Sequence, residues 1–183
     1  HMEWTLDQDD LYNNPLMTKA GREKIIFLRN KYNVEVISVT GDCFMQAPFW
    51  KASGDLRASL ITDFQAIVMA CNSLDIKMIV VPIVDGGSLE TNAQEDELVR
   101  TLLEENKKLV SLGVKIAFES DFTPQKLGEF ISQLDSESFG INYDIGNSAA
   151  LGFIPDEEFF YYGDRIINVH VKDRPLGLTT VPL

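Results

Sequence analysis

Two cysteines, Cys43 and Cys71, are all that the 183 residues contain. That is too few for a disulfide scaffold and, with no secretory leader visible, predicts a reducing cytoplasmic setting. No apolar run approaches the roughly 20 residues that a bilayer-spanning helix needs, so no membrane partner is expected. Positive charge is also short: 16 Lys and Arg face 28 Asp and Glu, a formal net charge of -12. A surface of that sign repels phosphate backbones and anionic lipid, which argues against nucleic acid as a partner. No Gly-x-Gly-x-x-Gly follows the first strand, so a dinucleotide-binding fold lacks support. No internal repeat is strong enough to signal a solenoid.

What is present is the balance of an ordinary globular protein, 45% hydrophobic and 24% charged. The length suits one core, so residues 1–183 are expected to form one domain, with residues 1–2 a tag remnant. Residues 3–6 predict the end of a strand. Thr18 then caps a helix in which Ile25, Leu28 and Tyr32 share a face and which ends near Asn33. Residues 34–39 form the next strand, followed by a polar loop at 40–43 and a connection over 44–55. Phe49 and Trp50 in that connection either pack against the core or wall a pocket.

A helix over 55–74 carries Leu60, Phe64, Ile67, Val68 and Cys71 on one face. Residues 78–84 are continuously apolar, which predicts a strand covered on both sides, as in parallel sheets. Asp85-Gly86-Gly87 is a turn. The helix over 95–112 turns Leu98, Leu102, Leu109 and Val110 inward and meets Gly113 at its C-cap position. Thr123 and Pro124 open another helix. Strands are predicted at 115–119, 140–144 and 166–171, with a loop at 145–148 and a short helix from Pro155. Such β-α alternation belongs either to a (β/α) barrel or to an open doubly wound sheet.

Three of these strands carry an ionisable residue where a core strand should be apolar: Glu119, Asp144 and His170. They are about one strand, one helix and two loops apart. Barrel enzymes draw their sites from the carboxyl ends of several strands, and two carboxylates with one imidazole suit Mn²⁺, Mg²⁺, Co²⁺ or Zn²⁺. Alternation puts Asn142 on the side of Asp144, and Asn168 and Lys172 on the side of His170. Each residue alone has an ordinary reading: a helix-capping or solvent-facing Glu119, an Asx turn at Asp144, a hydrogen-bonded core histidine at His170. Lys172, Asp173 and Arg174 are either a solvated face or a clamp for phosphate or carboxylate. Gly146-Asn147 offers backbone amides to an anion.

Asn142-Tyr-Asp-Ile-Gly-Asn147, Asn168-Val-His-Val-Lys-Asp-Arg174 and Phe118-Glu-Ser-Asp121 together resemble the sugar phosphate isomerase/epimerase superfamily, the xylose isomerase-like TIM barrels. The resemblance covers nearly the whole chain and implies a TIM (β/α)8-barrel type that is incomplete, with about six of eight strands present. It implies Glu119, Asp144 and His170 as metal ligands on the fifth, sixth and seventh barrel strands. Arg174 matches a substrate-contacting position, and Asn147 stands where epimerases often have a substrate-contacting histidine. Two glutamates in the epimerases exchange a proton with carbon; Glu119 matches the first, and the second belongs to an eighth strand beyond this chain.

The implied activity is isomerisation or epimerisation of a sugar or sugar phosphate by metal-assisted proton transfer beside a carbonyl, with activity expected to suffer in so short a chain. An inosose-type dehydratase, a non-catalytic fragment of the barrel and an AP endonuclease-like phosphodiesterase are the alternatives. With three ligands the metal site is expected to be weakened. The open edges predict a homo-oligomer or rearranged edges.

Overall fold

A computed structural model describes residues 1–182; Leu183, the last residue of the expected domain, lies outside the described residues. Six strands form one sheet: β1 (Met2–Leu6), β2 (Val36–Gly41), β3 (Met78–Ile83), β4 (Lys115–Ser120), β5 (Phe139–Asp144) and β6 (Ile166–His170). They lie side by side in chain order, and every neighbouring pair is parallel. A doubly wound sheet reverses its order at a switch point. The unbroken order therefore decides for the barrel, here an open segment whose edges are β1 and β6.

Helices α1 (Lys19–Tyr32), α2 (Asp42–Gln46), α3 (Gly54–Ser73), α4 (Asn92–Leu112), α5 (Pro124–Ser132), α6 (Ile145–Leu151) and α7 (Pro155–Tyr162) connect the strands. The apolar core lies between their inward faces and the outer face of the sheet. Val39, Ile79, Val81, Ile116, Phe118 and Ile141 point into it from the strands, and Phe64, Ile67, Leu102 and Phe130 meet them from the helices. Full burial of such a side chain contributes about 1.5–3 kcal/mol. Alternation leaves the opposite, concave face to Glu3, Ser38, Thr40, Glu119, Asn142 and His170, and that face carries the polar chemistry.

Several expectations change. The polar loop after β2 contains a short helix, α2, and the loop at 145–148 is the start of α6. In α6 the Asp144 carboxylate accepts the Asn147 amide at 2.9 Å, so the turn chemistry foreseen at Asp144 nucleates a helix. Helix α4 begins earlier than expected, at Asn92, because the Thr91 hydroxyl caps it. Phe49 and Trp50 are core packing, with Trp50 Nε1 donating to the Gly87 carbonyl at 3.0 Å.

The expected faces of α1 and α4 are only partly covered. Ile25 is buried, whereas Leu28, Tyr32 and Val110 are exposed. Leu28 and Tyr32 border a groove of about 370 Å³ beside β1, the edge strand of the sheet among the described residues. Among the described residues no helix is long and apolar enough to cross a membrane.

Candidate metal centre

Parallel register places the three foreseen residues side by side. Asp144 of β5 pairs with His170 of β6, and the neighbouring β4–β5 ladder continues toward Glu119. One ligand atom from each of Glu119, Asp144 and His170 lies within 4.8 Å of the other two. His170 Nδ1 is 3.2 Å from Glu119 Oε2 and 3.9 Å from Asp144 Oδ2.

The donor set fits a divalent cation. Asp144 has 2% of its side chain exposed and Glu119 12%, a burial of negative charge that His170 and Lys172 offset here and that a bound cation would offset further. Asp144 Oδ1 is committed to capping α6, while Oδ2 is buried without a hydrogen-bonding partner. The Lys172 ammonium stands 2.6 Å from that oxygen, outside hydrogen-bonding alignment, and 4.0 Å from Glu119 Oε1.

Neighbouring amides fix the carboxylates. Asn142 Nδ2 donates to Glu119 Oε2 at 2.7 Å, and Asn168 Nδ2 donates to Asn142 Oδ1 at 2.8 Å. Asn147 Nδ2 donates to Glu119 Oε1, and Arg174 Nη1 donates to Asn147 Oδ1. A Cβ on Gly146 would come within 2.5 Å of Lys172 Cγ and 2.9 Å of the Lys172 carbonyl, so only glycine lets the chain after β6 approach α6 this closely.

Glu119, Asn147, His170, Lys172 and Arg174 all line a cavity of about 570 Å³ at the carboxyl ends of the strands. Asp144 lies behind its wall. Lys172 and Arg174 are thus engaged with Asp144 and Asn147, neither a purely solvated face nor a free clamp.

Glu3 was not foreseen as a site residue. Its carboxylate reaches across the open side of the sheet to within 3.0 Å of His170 Nε2, and it accepts hydrogen bonds from Ser38 at 2.6 Å and Thr40 at 2.5 Å. A signal was available: as a strand residue two before Thr5, it alternates onto the polar face. The contact across the gap, however, needs the curvature of the sheet.

Burial alone would raise the Glu3 carboxyl, but His170, Ser38 and Thr40 together bring it down to about 2. Glu119, then Glu3, hold the His170 imidazolium up to about 10 against the opposing cost of burial. Glu3's stabilisation is present above its ordinary value of 4.5 and is lost as pH falls toward 2. That of His170 is present below 6.5 and is lost as pH rises toward 10. In chelator, thermal denaturation should show this pair's full contribution between those two ordinary values and a decline above the upper one. A divalent ion taken up through His170 would compete with the proton that Glu119 and Glu3 favour on the ring, so titration calorimetry in buffers of different ionisation enthalpy should register proton release on binding.

Comparison with known proteins agrees with this architecture. A xylose isomerase domain protein from Planctomyces limnophilus has 17% identity and a TM-score of 0.72, covering 91% of this chain and 66% of its own. D-Psicose 3-epimerase from Clostridium cellulolyticum, solved with D-tagatose, has 13% identity and a TM-score of 0.71, with 92% and 62% covered. The IolI protein, solved with a bound zinc atom, has 18% identity and a TM-score of 0.69, with 97% and 66% covered. The chain thus spans about two thirds of the length of these structures, and at such identities the likeness establishes the fold. No curated protein matches. The family model for the xylose isomerase-like TIM barrel matches residues 2–180. With six parallel strands in barrel order and a Glu-Asp-His cluster at their carboxyl ends, the chain belongs to the xylose isomerase-like TIM barrel family.

Proposed function

We propose that this site serves proton transfer beside the carbonyl of a sugar or sugar phosphate, the chemistry of an isomerase or epimerase. The observation that carries the reading is Glu119: its carboxylate borders both the ligand cluster and the cavity, and two asparagine amides fix its orientation. Glu119, Asp144 and His170 would hold a divalent ion, which when bound polarises a carbonyl and stabilises negative charge on adjacent oxygens.

Glu119 accepts the proton from the carbon next to the carbonyl. The C–H electron pair moves into a carbon–carbon double bond as the carbonyl oxygen gains charge. Return of a solvent-exchanged proton to the same face gives labelled substrate, and delivery of a proton to the opposite face gives the epimer. Delivery to the former carbonyl carbon, with a proton moved between the two oxygens, gives the isomer. Lys172 and Arg174, with Asn147 between Arg174 and Glu119, orient the substrate oxygens at the cavity wall. The names of relatives support this chemistry, since D-psicose 3-epimerase acts on a ketose. Asp42, Asp85, Glu119 and Asp121 line the cavity beside Lys172, Arg174 and His170, which is not the basic groove that a DNA phosphodiesterase requires.

The test is solvent exchange. Protein loaded with Mn²⁺ and incubated with a ketohexose in D₂O should place deuterium on the carbon beside the carbonyl, as read by NMR, and Glu119→Gln should abolish it. Exchange at undiminished rate in that variant removes Glu119 from the role. No exchange by the unaltered chain identifies it as a non-catalytic part of the barrel.

We also propose self-association through the sheet edges. Strands β1 and β6 each have one unpaired side, and Val169 and Val171 are exposed beside the latter. Sedimentation velocity should give a dimer or larger species at micromolar concentration; a compact monomer overturns this.

A further inference from the structure

We infer that Glu3 is a positioning residue for the metal centre, holding the His170 ring so that Nδ1 faces the cluster; this rests on the reading of His170 as a ligand. The two ring nitrogens have different surroundings. Nδ1 faces Glu119 Oε2 at 3.2 Å and Asp144 Oδ2 at 3.9 Å, while Nε2 is buried, makes no aligned hydrogen bond, and has Glu3 Oε1 as its ion-pair neighbour at 3.0 Å. One imidazole cannot present both nitrogens to one ion. The ion shared with Glu119 and Asp144 therefore takes Nδ1, and Nε2 keeps its proton.

A ligating imidazole needs an acceptor for its other N–H, because that acceptor fixes tautomer and ring orientation and increases the basicity of the ligating nitrogen. Glu3 is the carboxylate placed to serve. It is itself held: Ser38 donates to Oε2 and Thr40 to Oε1. Ser38 is paired with Glu3 in the β1–β2 ladder, so the register of these strands sets the aim of the carboxylate. On the Nδ1 side the Asn142 amide lies 3.0 Å away, with its own oxygen occupied by Asn168, which limits rotation of the ring. Glu3 stands outside the ligand cluster, so its action on an ion passes through His170.

The role is tested by Mn²⁺ affinity from titration calorimetry for the unaltered chain, Glu3→Gln and Glu3→Ala, with Zn²⁺-loaded ¹⁵N-histidine NMR as the second readout. Glu3→Ala should weaken Mn²⁺ binding roughly 10–100-fold, the usual effect of losing such a partner. Glu3→Gln, which retains an acceptor without the charge, should fall between. The chain has two histidines, so the ring signals of His170 are assigned by difference from His1. The unaltered protein should show Nδ1 bound and Nε2 protonated, and Glu3→Ala a mixture of ring states. Should Glu3→Ala fail to fold, the Gln variant decides by the same two readouts.

Unchanged affinity and an unchanged tautomer in the Gln variant and any folded Ala variant overturn the role of Glu3 while leaving the ligand cluster standing. Absence of Mn²⁺ binding by the unaltered chain overturns the ligand reading, and the role of Glu3 with it.

Discussion

Asp144→Asn is expected to abolish divalent-metal binding by this protein while leaving its fold in place. The side chain has two separable tasks. Oδ1 accepts the Asn147 amide and caps α6, while Oδ2 is buried next to His170 and Lys172 without a hydrogen bond. Asparagine retains a capping oxygen but removes the negative charge and offers a poor ligand to a hard cation. The affinity loss should exceed the roughly 10–100-fold that accompanies loss of an outer partner. Asp144→Ala removes the cap as well, which costs about a further 1 kcal/mol. In a chain of this size that lowers Tm by roughly 2–4 °C relative to the Asn variant. Titration calorimetry and thermal denaturation separate the two tasks. Binding retained within about tenfold in Asp144→Asn would exclude Asp144 as a ligand.

The largest loss of stability is expected from Glu158→Ala. Glu158 is 1% exposed and accepts three hydroxyls from three elements. Tyr143 of β5 donates to Oε2 at 3.0 Å, Ser148 of α6 to Oε2 at 2.5 Å, and Tyr162 of α7 to Oε1 at 2.7 Å. Burial and the adjacent Glu158 push the Tyr162 phenol well above its ordinary value, so its hydroxyl stays a donor throughout the working range. Truncation to alanine leaves the three donors without their acceptor and opens a cavity behind α6. A buried group left unsatisfied costs about 1–3 kcal/mol. Since hydroxyls can rotate toward one another, a net loss of about 3 kcal/mol is expected, lowering Tm by roughly 6–12 °C. Glu158→Gln keeps the volume and one acceptor and should cost about half as much. Because α6 carries Asn147, the alanine variant should also weaken metal binding. A Tm unchanged within about 2 °C would show that this cluster contributes no stability.

Legibility differed sharply between these two clusters. Glu119, Asp144 and His170 stood out because each interrupts an apolar strand, so the anomaly is visible from its immediate neighbours. Glu158 lies in an acidic first turn with Asp156 and Glu157, the composition that a helix N-terminus ordinarily shows to solvent. Its burial follows from how α7 packs over β5 and α6, and three consecutive residues do not encode that. Glu3 was obscure for a related reason: its partner His170 is at the other end of the chain, and the gap between β1 and β6 is bridged only because the sheet curves. The α6 segment was missed because a capping aspartate looks the same whether a turn or a helix follows.

From its order of residues alone the chain determined the β-α alternation, the parallel character of the sheet and the strand ends that carry Glu119, Asp144 and His170. These follow from periodicity and burial within a few residues. Tertiary structure decided that the strands run in barrel order and that His170 turns one nitrogen to the cluster and the other to Glu3. It also decided that Lys172 and Arg174 are tied into the site. Each of these depends on distances between segments remote in the chain, which are set by the twist and curvature of the sheet rather than by local preference.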